Sequence, residues 1–182
     1  RPAEISIEMT QTTLESDEEV VVRPDFFLKP VDANLSVQSQ SSEEIRRLPG
    51  SLEDAVRATA NLPGVAQVHA GRNDLIVRGG APSENLYLVD NIELSNINHF
   101  GTQGASGGPL SFINLDFVEN IRFYTGGFGV KYGDKLSSAL DIRLRDGRTD
   151  RIGGKATISA SQFGLNLEGP IGEKGSFLFS AR

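Results

Sequence analysis

The chain has 182 residues, a formal net charge of −6 and no cysteine. That length allows one compact domain with appendages. The missing thiols exclude disulfide, thiolate–metal and Cys-nucleophile chemistry, and the acidic balance argues against nucleic acid as a partner. No apolar run approaches the roughly 20 residues of a membrane helix.

The acidity is concentrated at one end. Residues 1–19 set Arg1 against Glu4, Glu8, Glu15, Asp17, Glu18 and Glu19, a net −5. Ile5, Ile7 and Met9 alternate with polar residues and predict a half-buried strand. Next comes an acidic run, then Val20, Val21 and Val22, stopped by Pro24. Three β-branched valines favour extended chain, either as a strand of the chain's own fold or as one added to another protein's sheet edge. Arg1 follows no initiator Met or signal peptide, and residues 177–182 end within a strand-like alternation, so a piece of a longer chain is expected.

From Leu35 the pattern is globular. Leu35 and Val37 alternate with Ser36 and Gln38 as a strand. Ser41, with Glu44 three residues on, predicts a capped helical turn ending at Pro49-Gly50. Residues 51–61 form the clearest predicted helix, starting at Ser51 and Asp54, with Leu52, Ala55, Val56 and Thr59 as its buried stripe. Residues 65–69 predict a strand. Residues 75–77 and 85–89 predict two more, joined by Arg78, Gly79 and Gly80 in a tight turn, which reads as a hairpin.

Residues 95–111 read as a long Gly-rich loop carrying Asn96, His99 and Phe100, and loops of that length are usually functional or disordered. A helical turn near residues 112–118, a strand at 118–124 and another at 140–144 complete an α+β core with more strand than helix. After Asp146-Gly147 the texture changes to dyadic alternation. Ile158, Leu165, Leu167, Phe177 and Phe179 lie on one face, with a turn placed at residues 169–175. That texture is what a lipid-facing β-barrel looks like in sequence, and alternation alone leaves a soluble meander open. If the face is lipid-facing, the isolated chain should oligomerise or need detergent.

Five segments now stand in order: SLEDAVRATANLPGV from Ser51, LIVRGG from Leu75, NLYLVDNIEL from Asn85, VENIRFYTGGFGVKYGD from Val118 and SSALDIRL from Ser137. Together they resemble the plug domain of TonB-dependent outer-membrane receptors. The resemblance implies the end of a β-sandwich at residues 1–13, a TonB-box-like segment and linker at 14–34, a plug at 35–147 and the first barrel strands at 148–182. It implies a plug with a small mixed β-sheet and short helices. Glu19, Val20, Val21 and Val22 would be the strand grasped by the TonB C-terminal domain. Arg78 would pair with barrel glutamates and lock the plug in place, inside a barrel in the outer membrane. Where many family members carry a second lock arginine, this chain has Thr125, which cannot make that ion pair. Asn96, His99 and Phe100 are the ligand candidates.

No Ser/His/Asp or carboxylate constellation supports an enzyme, and no cofactor is implied. His69 and His99, far apart in sequence, make poor metal ligands. The resemblance implies a plug that gates energy-coupled uptake of a nutrient such as a siderophore, cobalamin, oligosaccharide or peptide; a ligand-sensing or signalling module without transport is the alternative function.

Overall fold

A computed structural model describes residues 36–69, 71–101, 107–158, 163–172 and 174–181. The elements run β1 (Val37–Ser41), α1 (Ser42–Arg47), α2 (Ala55–Thr59), β2 (Val65–Gln67), β3 (Leu75–Val77), β4 (Asn85–Val89), β5 (Ile92–Leu94), β6 (Asn98–His99), β7 (Leu110–Ser111), β8 (Val118–Tyr124), β9 (Ser138–Leu144), β10 (Gly153–Ile158), β11 (Phe163–Ile171) and β12 (Gly175–Ala181). Short 3-10 turns at Pro82–Glu84 and Leu115–Phe117 precede β4 and β8.

The main sheet has the order β1-β8-β9-β4-β5. It is mixed: β4 and β9 run parallel, and every other pair is antiparallel. Central strand β9 is covered on both faces. Ile121, Phe123, Leu140 and Ile142 meet Ile45 of α1 and Val56 of α2 in the main core. Leu86, Leu88, Tyr124, Tyr132 and Ala139 form a second cluster containing residues of the opposite face. Double coverage explains why Asp141, an outward polar position by alternation, is buried. Its Oδ2 accepts from the Tyr132 hydroxyl at 2.9 Å, with Lys131 Nζ 3.9 Å away. Burial, and then bonds to Tyr124 and Asp141, push the Tyr132 phenol up.

The first helix is where its capping box places it. Ser41 Oγ accepts from Glu44 N, and the Glu44 carboxylate accepts from Ser41 N at 2.7 Å. The second helix is shorter than predicted. Leu52 and Glu53 have φ of 50° and 56°, so the chain turns left-handed before Asp54, which is the true N-cap. Leu52 is therefore exposed rather than buried, and Ser51 donates to Ile45 O instead of capping.

Residues 75–89 are not a hairpin. β3 pairs with β2, whereas β4 pairs with β5 and β9. The 3-10 turn after Gly80 redirects the chain from the small sheet into the large one, and Asn85 Nδ2 tethers the crossing by donating to Leu75 O at 2.8 Å.

The last three strands form a separate antiparallel sheet, β10-β11-β12. Gly169 and Pro170, expected in a turn, belong to β11. Pro170 is tolerated because β10 reaches only as far as Glu168, leaving that end of β11 with a free edge. One face carries Ile158, Phe163, Leu165, Leu167 and Phe179, all exposed. The other carries Asn166 and Glu168 and packs on the first domain through the contacts below.

Candidate functional site

Arg78 stands in the left-handed region at φ 50°, a conformation that costs a non-glycine residue energy. Its N–H donates to Gly64 O at 2.9 Å, fixing the backbone. Gly80 cannot bear a side chain, because a Cβ there would lie 2.4 Å from Ser137 Oγ. The exposed guanidinium lies over Gly126, where a Cβ would sit 3.0 Å from Nη1, and Nη2 donates to Ser36 Oγ at 3.3 Å. No described carboxylate pairs with it. Thr125 is buried nearby, its N–H donating to Ser36 O at 3.1 Å. Arg78, Ser36 and Thr125 thus gather at the end of the sheet where β1 begins.

Residues 95–111 contain structure that the loop reading missed. β6 and β7 pair through Asn98–Ser111 and His99–Leu110, with residues 102–106 outside the described set. Asn96 does not join the other two ligand candidates at the surface. It is half-buried, and its Oδ1 accepts from Asn98 N at 2.9 Å, a turn-forming role. His99 and Phe100 do come together, with ring centroids 5.9 Å apart, and Phe100 is 86% exposed. Phe112 joins them edge-on to His99 at 5.9 Å. Phe112 lies just beyond the predicted loop. The backbone bond from its N–H to Ile97 O returns it to the same place.

A buried polar network holds this hairpin by its base. Asp54 Oδ1 accepts from Val56 N and Arg57 N at 2.8 and 3.0 Å, and Oδ2 accepts from Ser111 N and Asn73 Nδ2 at 2.6 and 3.2 Å. Asn73 also donates to Asn98 Oδ1 at 2.9 Å. One carboxylate therefore caps α2 and closes the hairpin.

A second polar cluster centres on Asp116, in the 3-10 turn before β8. Its carboxylate accepts from Arg46 of α1, from Asn166 of β11 and from Lys155 of β10 at 2.7 Å. Arg145, just after β9, donates to Asp116 O at 2.7 Å and to Glu168 Oε2 at 2.6 Å. Burial works to raise the Asp116 pKa, but the Lys155 and Arg46 cations outweigh it and hold the group below the usual carboxylate range. The stabilisation is present above the unfolded carboxylate value and lost as pH falls through the lower folded one.

The Glu19 to Val22 segment lies outside the described residues. Among the described residues no group of His, Asp and Glu is arranged to hold a metal. No described helix is long and apolar enough to cross a membrane, which says nothing of strands.

The family model for the TonB-dependent receptor plug domain matches residues 29–139. The chain belongs to that family. The plug assignment accounts for the mixed sheet with few short helices followed by the first strands of a barrel. Solved receptors share the fold. The ferric enterobactin receptor PfeA of Pseudomonas aeruginosa aligns at 20% identity over 80% of this chain and 24% of that one, with a TM-score of 0.57. The ferric-catecholate import receptor Fiu of E. coli aligns at 18% identity over 84% and 21%, TM-score 0.56. The alcaligin receptor FauA of Bordetella pertussis aligns at 16% identity over 84% and 27%, TM-score 0.56. The chain thus spans about a quarter of the length of the receptors it matches. No curated protein matches it. Family and neighbours are receptors and transporters of the outer membrane, not enzymes.

Proposed function

We propose that this chain is the plug region of a transporter that gates energy-coupled uptake of a nutrient. Residues 35–147 would fill the barrel and residues 148–182 begin its wall. The N-terminal arm would stand in the periplasm, where Glu19 to Val22 pair with the TonB C-terminal domain. The observation that carries the coupling is the place of β1. It is one of the two edge strands of the main sheet and the first described element after Val22, so a pull on the arm reaches the sheet at a strand held on one side only. Arg78, exposed and without a described carboxylate, is free to pair with glutamates of the barrel.

His99 and Phe100, with Phe112, offer an exposed aromatic surface for ligand, and Asn96 shapes the turn beneath it. Iron chelates are the first ligands to try, because the solved neighbours bear the names of siderophore receptors.

Uptake by the full-length receptor tests the reading. Val21→Pro removes a main-chain donor from the coupling strand and should abolish uptake while leaving ligand binding intact. Undiminished uptake by that variant would sink the coupling assignment. Replacing Asn96, His99 and Phe100 together by alanine should weaken ligand binding at least tenfold. Affinity within a factor of two would remove the hairpin from the site.

A further inference from the structure

We propose that Asp116 and Arg145 form a second lock between plug and barrel wall, at the end of the plug sheet opposite Arg78. This rests on the reading of residues 148–182 as wall strands. Position carries it first. Asp116 precedes β8 and Arg145 follows β9, and these strands pair with Val118 opposite Leu144, so both residues sit at one end of the sheet. The other end of the same strands is Tyr124 opposite Ala139. There Thr125 and Arg78 both contact Ser36. Seven residues of β8 separate the two ends, roughly 20 Å of strand.

Charge carries it second. The two salt bridges cross from plug to wall with opposite polarity: plug Asp116 to wall Lys155 at 2.7 Å, and plug Arg145 to wall Glu168 at 2.6 Å. The acids are mostly shielded, with side-chain exposures of 16% for Asp116 and 21% for Glu168. Such pairs are screened less than surface pairs. Neutral contacts fill the gap between them. Asn114 Nδ2 donates to Asn166 Oδ1 at 2.9 Å and to Ser180 Oγ at 2.8 Å, so all three wall strands take part. A plug held at the Arg78 end alone could swing about that end. A charged anchor at the far end prevents this, and it serves where Thr125 leaves the Arg78 end without a second arginine. Because Asp116 also holds Arg46 of α1, the lock includes the first helix behind β1.

The test uses the full-length receptor in outer membranes and reads leak of a small hydrophilic antibiotic, which needs no uptake activity. Lys155→Ala combined with Glu168→Gln removes the wall charges and leaves the plug core untouched. Leak should rise at least fivefold at unchanged receptor yield. Glu168→Arg should also raise leak, and adding Arg145→Glu should bring it back within twofold of the wild type. Wild-type leak in the Lys155→Ala/Glu168→Gln receptor would overturn the lock, as would failure of the reversed pair to restore it. If Glu168→Arg does not assemble, the charge-removing double variant decides alone. A receptor that shows the lock but no uptake would instead refute the transport reading.

Discussion

Replacing Asp54 with alanine should loosen α2 and the β6–β7 hairpin together, at a cost of about 2–5 kcal/mol. The side chain is buried and accepts four hydrogen bonds. Two belong to the helix N-cap, a role worth about 1–2 kcal/mol. A third satisfies Ser111 N–H, and leaving a buried donor of that kind without an acceptor costs about 1–3 kcal/mol. Asn73 keeps its bond to Asn98 but loses its anchor. Amide hydrogen exchange checks this directly, since Val56, Arg57 and Ser111 should all lose protection. Asp54→Asn separates the two halves. Its carbonyl oxygen can still cap Val56 and Arg57, but its amide would face the Ser111 and Asn73 donors. Ser111 alone should then lose protection. Unchanged exchange at all three amides in Asp54→Ala would refute the network.

The same residue shows what the sequence made legible. Ser51 and Asp54 together read as a helix start, and α2 begins directly after Asp54. Leu52 fits the apolar stripe and so lengthens the predicted helix, yet the chain turns left-handed at Leu52 and Glu53 and sends that side chain to solvent. Periodicity reports which residues are apolar, not whether the backbone turns before they are buried. The capping box at Ser41 was readable because all its bonds are local. The partner of β4 was not. Short apolar runs on either side of a Gly-Gly turn suggest a hairpin, whereas parallel pairing with β9 depends on residues some fifty positions away. The candidate site was legible in parts. Arg78 is marked in the sequence by the two glycines that follow it. The Asp116 cluster carries no such mark, because its partners come from α1, β10 and β11 and share no spacing that a linear pattern could show.

The tail's dyadic pattern was legible, and it supports the other large expected effect. Leu165→Arg should cut the yield of assembled receptor several-fold or more, while Thr157→Arg should leave it within about twofold. The two residues lie on adjacent strands, one pair apart in register, but on opposite faces. Leu165 shares the exposed apolar face with Ile158, Phe163, Leu167 and Phe179. Thr157 lines a small space with Asp116, Asn166 and Gly164, on the plug side. If the apolar face meets lipid, an arginine there costs about 2–4 kcal/mol near the bilayer midplane and less toward the interfaces. At position 157 the cross-strand neighbour is Gly164, and the polar Asn114, Asp116 and Asn166 line the same side, so a charged side chain there meets no apolar face. The difference between the variants therefore reports the face rather than the size or charge of arginine. Heat-modifiable mobility of the full-length receptor in outer-membrane fractions measures it. Equal yields would show that the apolar face of β10, β11 and β12 is covered by protein, and the strands would then be part of a soluble sheet rather than a membrane wall.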